Sequence, residues 1–520
     1  MLNFAIVGCG RIANKIVDGI ISNSKKAKLV AVCDILEDKM EQIKNRYIEK
    51  TNGSNKIIEV SNIDENDEIF ESYFLETNIY RKIKGRERLL IVVGEKGTGK
   101  SALLRMCMIS NEKNNEIVVN IRRPVIQSGG DVSQTIEGWK IYIAQEICKT
   151  LNEKREMITK NKTLNTIFAS LEKTLSEIVK KQYDINYLEI KNNILDAYNK
   201  QNNIINIYID DLDVGYKNTS EQNESIAALF TAIRDIMREN RSLKVRMTLR
   251  TDVYDNVRRI DESSDKIQGA KIELKISNHE IFSMLTKRVC SFLGKDHISN
   301  YQQLSQSKMM DLMEEVIAPV FKGRGKWEEK HTNYVLMTMT RRRPRDIFSL
   351  CGFAWDHAVE RNSTKIETED LDAVMSRYSK EKMNDIVSEY RYEFRNQDDL
   401  REVILALRPS ENERKKGGKL YVYNKSTLMK KIDTILERRK IYSSDSQLMN
   451  CFDLAKLLYK ANVITGRIDS DTSITRTYYM EEPDLISELN DKGCNYEVHP
   501  AYRWILDKEN DNFKHIDYEE

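Results

Sequence analysis

The sequence predicts an α/β protein built on a parallel sheet, with a truncated Rossmann-like β-α-β unit at the N-terminus and a mostly helical C-terminal region. Between residues 89 and 249, short apolar runs alternate with helical patterns. Strands that alternate with helices form parallel sheets. Two glycine-rich loops, at residues 8–13 and 94–101, each follow an apolar run and precede a helical pattern. From about residue 278 to 380 the pattern is nearly all helical.

Length, charge and cysteine usage narrow the class of protein. The chain has 520 residues with 83 Lys and Arg against 81 Asp and Glu, so a net charge of +2 excludes a wholly basic nucleic-acid coat protein. No apolar run approaches the roughly 20 residues of a membrane helix, and the N-terminus lacks a signal-peptide pattern. The 8 Cys contain no CxxC pair and the 6 His no HExxH pattern. We expect a reduced cytoplasmic protein with no membrane partner and no protein-ligated transition metal.

The predicted elements divide the chain into four parts. The strands expected in the central sheet cover residues 89–93, 116–121, 204–209 and 243–249, with helices over residues 102–108 and 224–238. After residue 380 the only strand candidate is residues 419–423. The predicted parts are a Rossmann-like unit at 1–62, a sheet-containing core at 63–275, a helical lid at 276–380 and a C-terminal domain at 381–520.

The second glycine loop reads GEKGTGKS and fits the phosphate-binding pattern GxxxxGK[ST] in full. Glycines let successive backbone N–H groups turn inward on phosphate oxygens, and the start of the following helix adds a positive dipole end. We expect Lys100 to reach the β- and γ-phosphates and the Ser101 hydroxyl to ligate Mg²⁺. The residues predicted to hold the nucleotide phosphates are Gly94, Gly97, Thr98, Gly99, Lys100, Ser101 and Ala102.

Acidic residues follow the strand at residues 204–209. Asp210 is the predicted second ligand of Mg²⁺, opposite Ser101. Asp211 is predicted to orient the attacking water. Many ATPases with this type of loop have the longer Glu at that position. The alternative is an acidic turn that caps the next helix. For Asp213 a capping or salt-bridge role is preferred.

Arginines in two later segments are candidate sensors of the γ-phosphate. Arg250 ends the strand at residues 243–249, and a bidentate cation suits phosphate. The alternative is a surface arginine paired with Asp252 or Asp255. Arg343 and Arg345 flank Pro344 in RRRPRDI, where Pro can begin a helix. For these two, the alternatives are a solvated basic face or contact with DNA phosphates.

These motifs together resemble a family of bacterial P-loop ATPases related to the STAND and KAP NTPases. The resemblance covers roughly residues 65–510 and includes GEKGTGKSALL, IYIDDLD, VRMTLRTDVYD, DKI at 265–267, RRRPRDI and VHPAYRWIL. It implies ATP and Mg²⁺ as cofactors, a regulatory ATPase of slow turnover found in bacterial defence settings, a helical lid and a winged-helix-like C-terminal domain. The alternative is a nucleotide-loaded scaffold that hydrolyses negligibly and recruits DNA or a partner.

The first glycine loop resembles the start of the Gfo/Idh/MocA oxidoreductases. Gly8 and Gly10 lie in a GxGxx[GA] pattern, and Asp34 lies where a dinucleotide fold places the acceptor for the ribose hydroxyl. The resemblance stops near residue 50, so a second mononucleotide-binding half is missing. A structural β-α-β piece is preferred over a working NAD(P) sensor, and NAD(P) is not expected as a working cofactor.

The C-terminal region contains basic clusters with interleaved tyrosines. Such a surface would suit a DNA backbone, whereas the alternative is a solvated face balanced by Glu411, Glu413 and Glu437. An effector protein and a second copy of the chain are further expected partners. His499 is predicted to be a structural histidine. The basic residues are Arg414, Lys415, Lys416, Lys419, Lys430, Lys431, Arg438, Arg439 and Lys440.

Overall fold

The computed structural model describes most of the chain between residues 70 and 507 and three short segments before it. The described residues are 2–7, 13–22, 27–33, 70–124, 131–153, 204–239, 241, 243–260, 268–295, 298, 300–323, 327–416, 419–470, 474–487 and 493–507. The motif DKI at 265–267 therefore lies outside the described residues.

The N-terminal segments form a β-α-β unit. Strand β1 (Leu2–Val7) pairs in parallel with β2 (Ala27–Cys33), and helix α1 (Ala13–Ser22) connects them. Helix α1 buries Ala13, Val17 and Ile20. Because the two strands form a sheet of their own among the described residues, the unit contains one β-α-β crossover. Gly8, Gly10 and Asp34 lie outside the described residues.

The central sheet has five parallel strands in the order β4-β5-β6-β3-β7. The strand β6 lies between β3 and β5. Strand β3 leads into the glycine loop at residues 94–101, called the P-loop below, and β5 ends in Asp210. The carboxyl ends of all five strands share one edge, which is where α/β sheets bind ligands. The strands are β3 (Leu89–Gly94), β4 (Ile117–Arg122), β5 (Ile205–Asp210), β6 (Leu243–Arg250) and β7 (Lys271–Glu273).

Both faces of this sheet are covered, which explains the continuous apolar runs in the sequence. Leu90 and Val92 point to a core shared with the helix that follows the P-loop, whereas Ile91 and Val93 point to a second core on the opposite face. The helices of this region are α2 (Phe70–Tyr73), α3 (Asn78–Ile83), α4 (Lys100–Lys113), α5 (Val132–Glu153), α6 (Ser220–Glu239) and α7 (Thr251–Ile260).

A helical region follows the sheet and shares the core that covers α4. The stretch is not entirely helical, because a short antiparallel hairpin interrupts it: β8 (Val320–Lys322) and β9 (Glu328–His331). All four side chains of β9 are exposed, so no apolar pattern marks that strand in the sequence. The helices are α8 (Asn278–Phe292), α9 (Gln306–Met313), α10 (Thr332–Met339), α11 (Pro344–Glu360) and α12 (Thr368–Tyr390), with a 3-10 turn at Tyr301–Gln303.

The C-terminal region has its own core, built from the end of α12 and the elements after it. A four-stranded antiparallel sheet, in the order β10-β13-β11-β12, packs against helices there. Its elements are a 3-10 turn (Arg391–Glu393), α13 (Asp399–Ala406), α14 (Glu411–Lys416), β10 (Val422–Tyr423), α15 (Lys425–Arg438), α16 (Cys451–Lys460), β11 (Ile464–Asp469), β12 (Ile474–Thr477), β13 (Asn495–Val498) and α17 (Pro500–Leu506).

The prediction of a single strand after residue 380 is wrong. Three further strands, β11, β12 and β13, are present, and β10 is shorter than the predicted 419–423 segment. In β11 and β13 charged side chains occupy buried positions, and β12 has no buried residue, so none of the three has the apolar pattern of a core strand. Arg467 and Glu497 are fully buried and form an ion pair of 2.8 Å between Nη1 and Oε2. A charged side chain can occupy a buried strand position when an opposite charge pairs with it, so the strand needs no apolar pattern.

Among the helices of the described ranges, none is long and apolar enough to cross a bilayer.

Candidate nucleotide-binding site

The P-loop lies between the end of β3 and the start of α4. Gly97 and Gly99 adopt left-handed backbone conformations, with φ of 84° and 91°, which glycine tolerates without strain. The Thr98 hydroxyl donates to the Glu95 carbonyl over 2.8 Å and closes the turn. The helix begins at Lys100, so its free N–H groups face the loop. This arrangement provides the anion site that a nucleotide phosphate needs.

Lys100 contacts the backbone of its own loop. Its Nζ donates to the carbonyls of Gly94 and Glu95, each over 2.9 Å. Burial lowers the pKa of Lys100, while the nearby carboxylates of Asp213, Glu389 and Asp210 oppose that shift. Because carbonyl oxygens hold the ammonium group, Lys100 can bind a phosphate without first breaking an ion pair.

Asp210 ends β5 and is 3% exposed. The Thr248 hydroxyl donates to its Oδ1 from the neighbouring strand β6. Asp210 lines the same cavity as Ser101. A hydrogen bond that fixes a carboxylate orients it as a metal ligand. Asp210 and Ser101 therefore carry oxygen atoms of the kind that Mg²⁺ prefers as ligands.

Asp211 follows in a left-handed conformation with φ of 60°. Its Oδ2 lies 3.5 Å from Nε of Arg123, and its side chain remains 28% exposed. The next helix, α6, begins only at Ser220, so Asp211 does not cap it. The alternative of a helix-capping turn is therefore wrong, and Asp211 faces the cavity edge.

Arg250 lines the cavity but is already paired. Its Nε donates to Asp252 Oδ1 over 2.9 Å and lies 3.6 Å from Asp213 Oδ2, and its Nη2 donates to the Glu389 carbonyl over 3.1 Å. Burial would lower its pKa, but Asp252 and Glu389 raise it above its ordinary value. The alternative prediction for Arg250 was a surface arginine paired with Asp252 or Asp255. The pairing with Asp252 is present, but Arg250 is not on the open surface. The ion pair with Asp213 agrees with the salt-bridge role preferred for that residue.

The two arginines of RRRPRDI lie in different environments. Arg343 is 2% exposed and donates from Nε to Glu95 Oε2 and from Nη1 to Glu389 Oε2, each over 2.8 Å. A solvated basic face is therefore wrong for Arg343. Arg345 is exposed, lines the cavity, and packs its side chain against Gly97 of the P-loop. Across the described part of the chain, no carboxylate forms an ion pair with Arg345.

Glu95 connects the P-loop to the C-terminal region. Besides Arg343, it accepts hydrogen bonds from Nδ2 of Asn462, which follows α16, at 2.8 Å and 3.0 Å. The Lys96 N–H donates to Glu389 Oε1 over 3.4 Å. The second and third residues of the P-loop are thus held by residues of later elements.

The cavity has a volume of about 560 Å³ and two chemically different ends. The P-loop, Asp210, Asp211 and the arginines form the polar end. The rest of the lining, called the apolar end below, is mainly aromatic and aliphatic, which suits a planar base. Its side chains are Phe70, Tyr73, Phe74, Leu75, Ile79, Ile276, Met284 and Phe348, together with Arg288.

The C-terminal basic residues are largely ion-paired. The pairs are Lys415 with Glu411, Lys419 with Asp469, Lys431 with Glu413, Arg414 with Asp507 and Arg439 with Asp399. Tyr421 and Tyr423 are buried in the C-terminal core rather than interleaved on the surface.

His499 is fully buried. Its Nδ1 accepts the Ala501 N–H over 3.1 Å at the start of α17, and its Nε2 lies 3.1 Å from the Tyr478 hydroxyl. These contacts are those of a structural residue.

Several residues of the site were not predicted from the sequence. No motif assigned a role to Thr248, Glu95, Glu389 or Arg288, and their partners lie far away in the chain. Thr248 was within reach of sequence reasoning, because it lies at the end of the predicted strand beside the one that ends in Asp210. The sequence favours Arg250 at that strand end, because a bidentate cation suits phosphate.

The fold and the cavity define a P-loop NTPase with its site at the carboxyl edge of a parallel sheet. Residues 75–289 match the family model of Novel STAND NTPase 1, and residues 279–387 match that of the FunZ-associated C-terminal helical domain. The chain therefore carries a STAND-related P-loop NTPase domain, and its residues 279–387 are similar to the FunZ-associated C-terminal helical domain.

Individual proteins resemble the chain more distantly. The Putative transposon gamma-delta 80.3 kDa protein of Escherichia coli (strain K12) is 22% identical over 488 residues, and the match covers 85% of this chain. The chain spans 65% of the length of that relative. The ORC2 protein of Aeropyrum pernix in its ADPNP–ADP complexes has 11% identity and a TM-score of 0.39, with 84% of this chain and 96% of that chain covered. Its ADP form has 11% identity and a TM-score of 0.33, with coverages of 83% and 95%.

Proposed function

We propose that the chain binds Mg²⁺–ATP, hydrolyses it slowly and uses the nucleotide state as a conformational switch. The observation that carries this proposal is the meeting of Lys100, Ser101, Asp210, Asp211 and Arg345 around one cavity. The family match over residues 75–289 supports a nucleoside triphosphate as the class of ligand. A role in bacterial defence belongs to the same proposal and rests on the resemblance of the sequence alone.

Each of these residues has a defined task. The backbone N–H groups of the loop and Lys100 bind the β- and γ-phosphates. Ser101 and Asp210 would hold Mg²⁺, which neutralises charge on the phosphate oxygens when bound. Asp211 accepts a hydrogen bond from the attacking water and orients it toward the γ-phosphorus. Arg345, which lies against Gly97 without an acidic partner among the described residues, stabilises the charge that develops on the γ-phosphate.

A scaffold that keeps its nucleotide and hydrolyses negligibly is the second candidate. Asp211 is one methylene shorter than the usual Glu, and its carboxylate lies 3.5 Å from Arg123. Both features favour slow turnover. In that case the bound nucleotide would set the position of the C-terminal region for DNA, an effector protein or a second copy of the chain.

Steady-state ATP turnover separates the two candidates. We expect turnover in the purified chain that is lost in Lys100→Ala and Asp211→Asn. Asparagine tolerates the left-handed backbone at residue 211, so that variant removes the charge without strain. Parallel assays with double-stranded DNA test whether the C-terminal basic residues are a sensor. Tight ATP binding without turnover would favour the scaffold, and no binding of ATP in the wild type would reject both candidates.

A further inference from the structure

Arg288 is a cation in the apolar end of the cavity that no contact of the P-loop explains. It lies on α8, and its guanidinium carbon lies 3.7 Å above the centroid of the Phe348 ring, on α11. At that separation the guanidinium group makes a cation–π contact with the ring. Arg288 also lines the cavity, so it is placed to contact a ligand there.

The environment of Arg288 provides little compensation for its charge. Within the described segments, no carboxylate forms an ion pair with it. Glu280 also lines this end, but its Oε2 accepts from the Ser277 N–H and hydroxyl, each over 2.9 Å, in the capping box of α8. Burial lowers the pKa of Arg288 to about 9, an effect that Tyr73 opposes. A charge left in such a place indicates a ligand that completes the site.

The shape of the cavity decides which part of a nucleotide reaches Arg288. With the phosphates on the P-loop, as proposed above, the base would lie in the part of the cavity that Phe70, Tyr73, Phe74 and Ile79 line. A planar cation beside such a wall offers stacking to a flat, electron-rich ring. A phosphate would not need the aromatic lining.

We propose that Arg288 is the base-recognition residue of this site and stacks the purine ring of the nucleotide on the face opposite Phe348. This inference rests on the proposed function and adds a specificity-determining residue to it. The contact is to the base alone, so Arg288 contributes to the binding of adenosine and not to that of the triphosphate group.

The test uses the two halves of ATP as probes. Binding of ATP, adenosine and inorganic tripolyphosphate is measured on the full chain by displacement of a fluorescent ATP analogue. In Arg288→Met we expect the affinity for ATP and adenosine to fall about ten-fold. The affinity for tripolyphosphate should stay within about two-fold, because its site is separate. Thermal unfolding of each variant shows that it is folded.

Lys287→Met is the matched control, because Lys287 precedes Arg288 on α8 but lies over the Tyr301 ring, at 5.5 Å from its centroid. It should leave all three affinities unchanged. Arg288→Lys should recover only part of the loss, since an ammonium group lacks the planar face. Equal weakening of tripolyphosphate, full recovery in Arg288→Lys or unchanged adenosine binding would each overturn the inference. Failure of the wild type to bind ATP would instead overturn the proposed function.

Discussion

Arg343 fastens Glu95 of the P-loop to the C-terminal end of α12, because it donates to Glu95 Oε2 and to Glu389 Oε2 over 2.8 Å each. Asn462 joins the same network from the end of α16. All four side chains are less than 10% exposed. Residues of later elements therefore hold the P-loop directly, through side-chain contacts with Glu95.

We expect Arg343→Met to lower the free energy of unfolding by about 3–5 kcal/mol, as the loss of one partner leaves buried carboxylates unpaired. Burial would raise the pKa of Glu389, but Arg343 and Arg250 hold it below its ordinary value. Without Arg343, the buried carboxylate of Glu389 loses its ion-pair partner. Urea denaturation of the purified variant measures the change.

The neighbouring Arg342 is the control for this prediction. It pairs with Glu481 near the surface and lies over the Tyr478 ring. Since exposed pairs contribute roughly 0–1 kcal/mol, Arg342→Met should be nearly neutral. Equal destabilisation by the two variants would contradict the role assigned to the network.

The central sheet could be predicted from the sequence because its strands are buried on both faces. Their apolar runs, from Leu89 to Val93 and from Ile205 to Ile209, are the direct signature of such strands. The C-terminal sheet could not be predicted in the same way. Its burial rests on pairs such as Arg467 with Glu497, and charge pairing between distant residues leaves no local pattern.

The candidate site divides along the same line. Residues of the P-loop and Asp210 belong to contiguous motifs, so their placement at one sheet edge follows from strand order. The positions of the other site residues depend on contacts between residues that are distant in the sequence. Arg343 and Arg345 are two residues apart in the sequence, yet one is buried on Glu95 and the other is exposed beside Gly97. Their partners come from two separate parts of the chain, the P-loop and α12, which a single motif does not reveal.

Thr248 is expected to support catalysis through Asp210. Thr248→Val removes the hydroxyl that donates to Oδ1 while it keeps the shape of the side chain. Loss of such a hydrogen bond to a metal ligand costs about 10–100-fold in metal affinity or activity. The Mg²⁺ dependence of ATP turnover should therefore shift to higher Mg²⁺ concentration. Thr248→Ser retains the donor and should resemble the wild type, and a Val variant with unchanged Mg²⁺ dependence would remove Thr248 from the site.

Arg345 is expected to distinguish ATP from ADP. Since its guanidinium group lies at the P-loop without an ion-pair partner in the described chain, Arg345→Met should weaken a non-hydrolysable ATP analogue about ten-fold, the size of one charge-assisted contact. ADP binding should change much less, because it lacks the γ-phosphate. Isothermal titration calorimetry measures both affinities. Equal losses for the two nucleotides would place Arg345 on the β-phosphate or the ribose instead.

His499 is expected to make stability depend on pH between 5 and 6.5. Burial, with Arg476 as a further cause, lowers the pKa of His499 to about 3, whereas an unfolded histidine has a pKa of about 6.5. As pH falls through this range the unfolded chain gains a proton that the folded chain does not, so stability is lost with a slope that approaches about 1.4 kcal/mol per pH unit near pH 5. His499→Asn keeps an acceptor for the Ala501 N–H and should flatten the slope, measured by urea denaturation. Glu497, whose pKa burial would raise but Arg476 and Arg503 hold below its ordinary value, affects stability only at lower pH. The exposed His331→Gln is the control, and an unchanged slope in His499→Asn would assign the pH dependence to other groups.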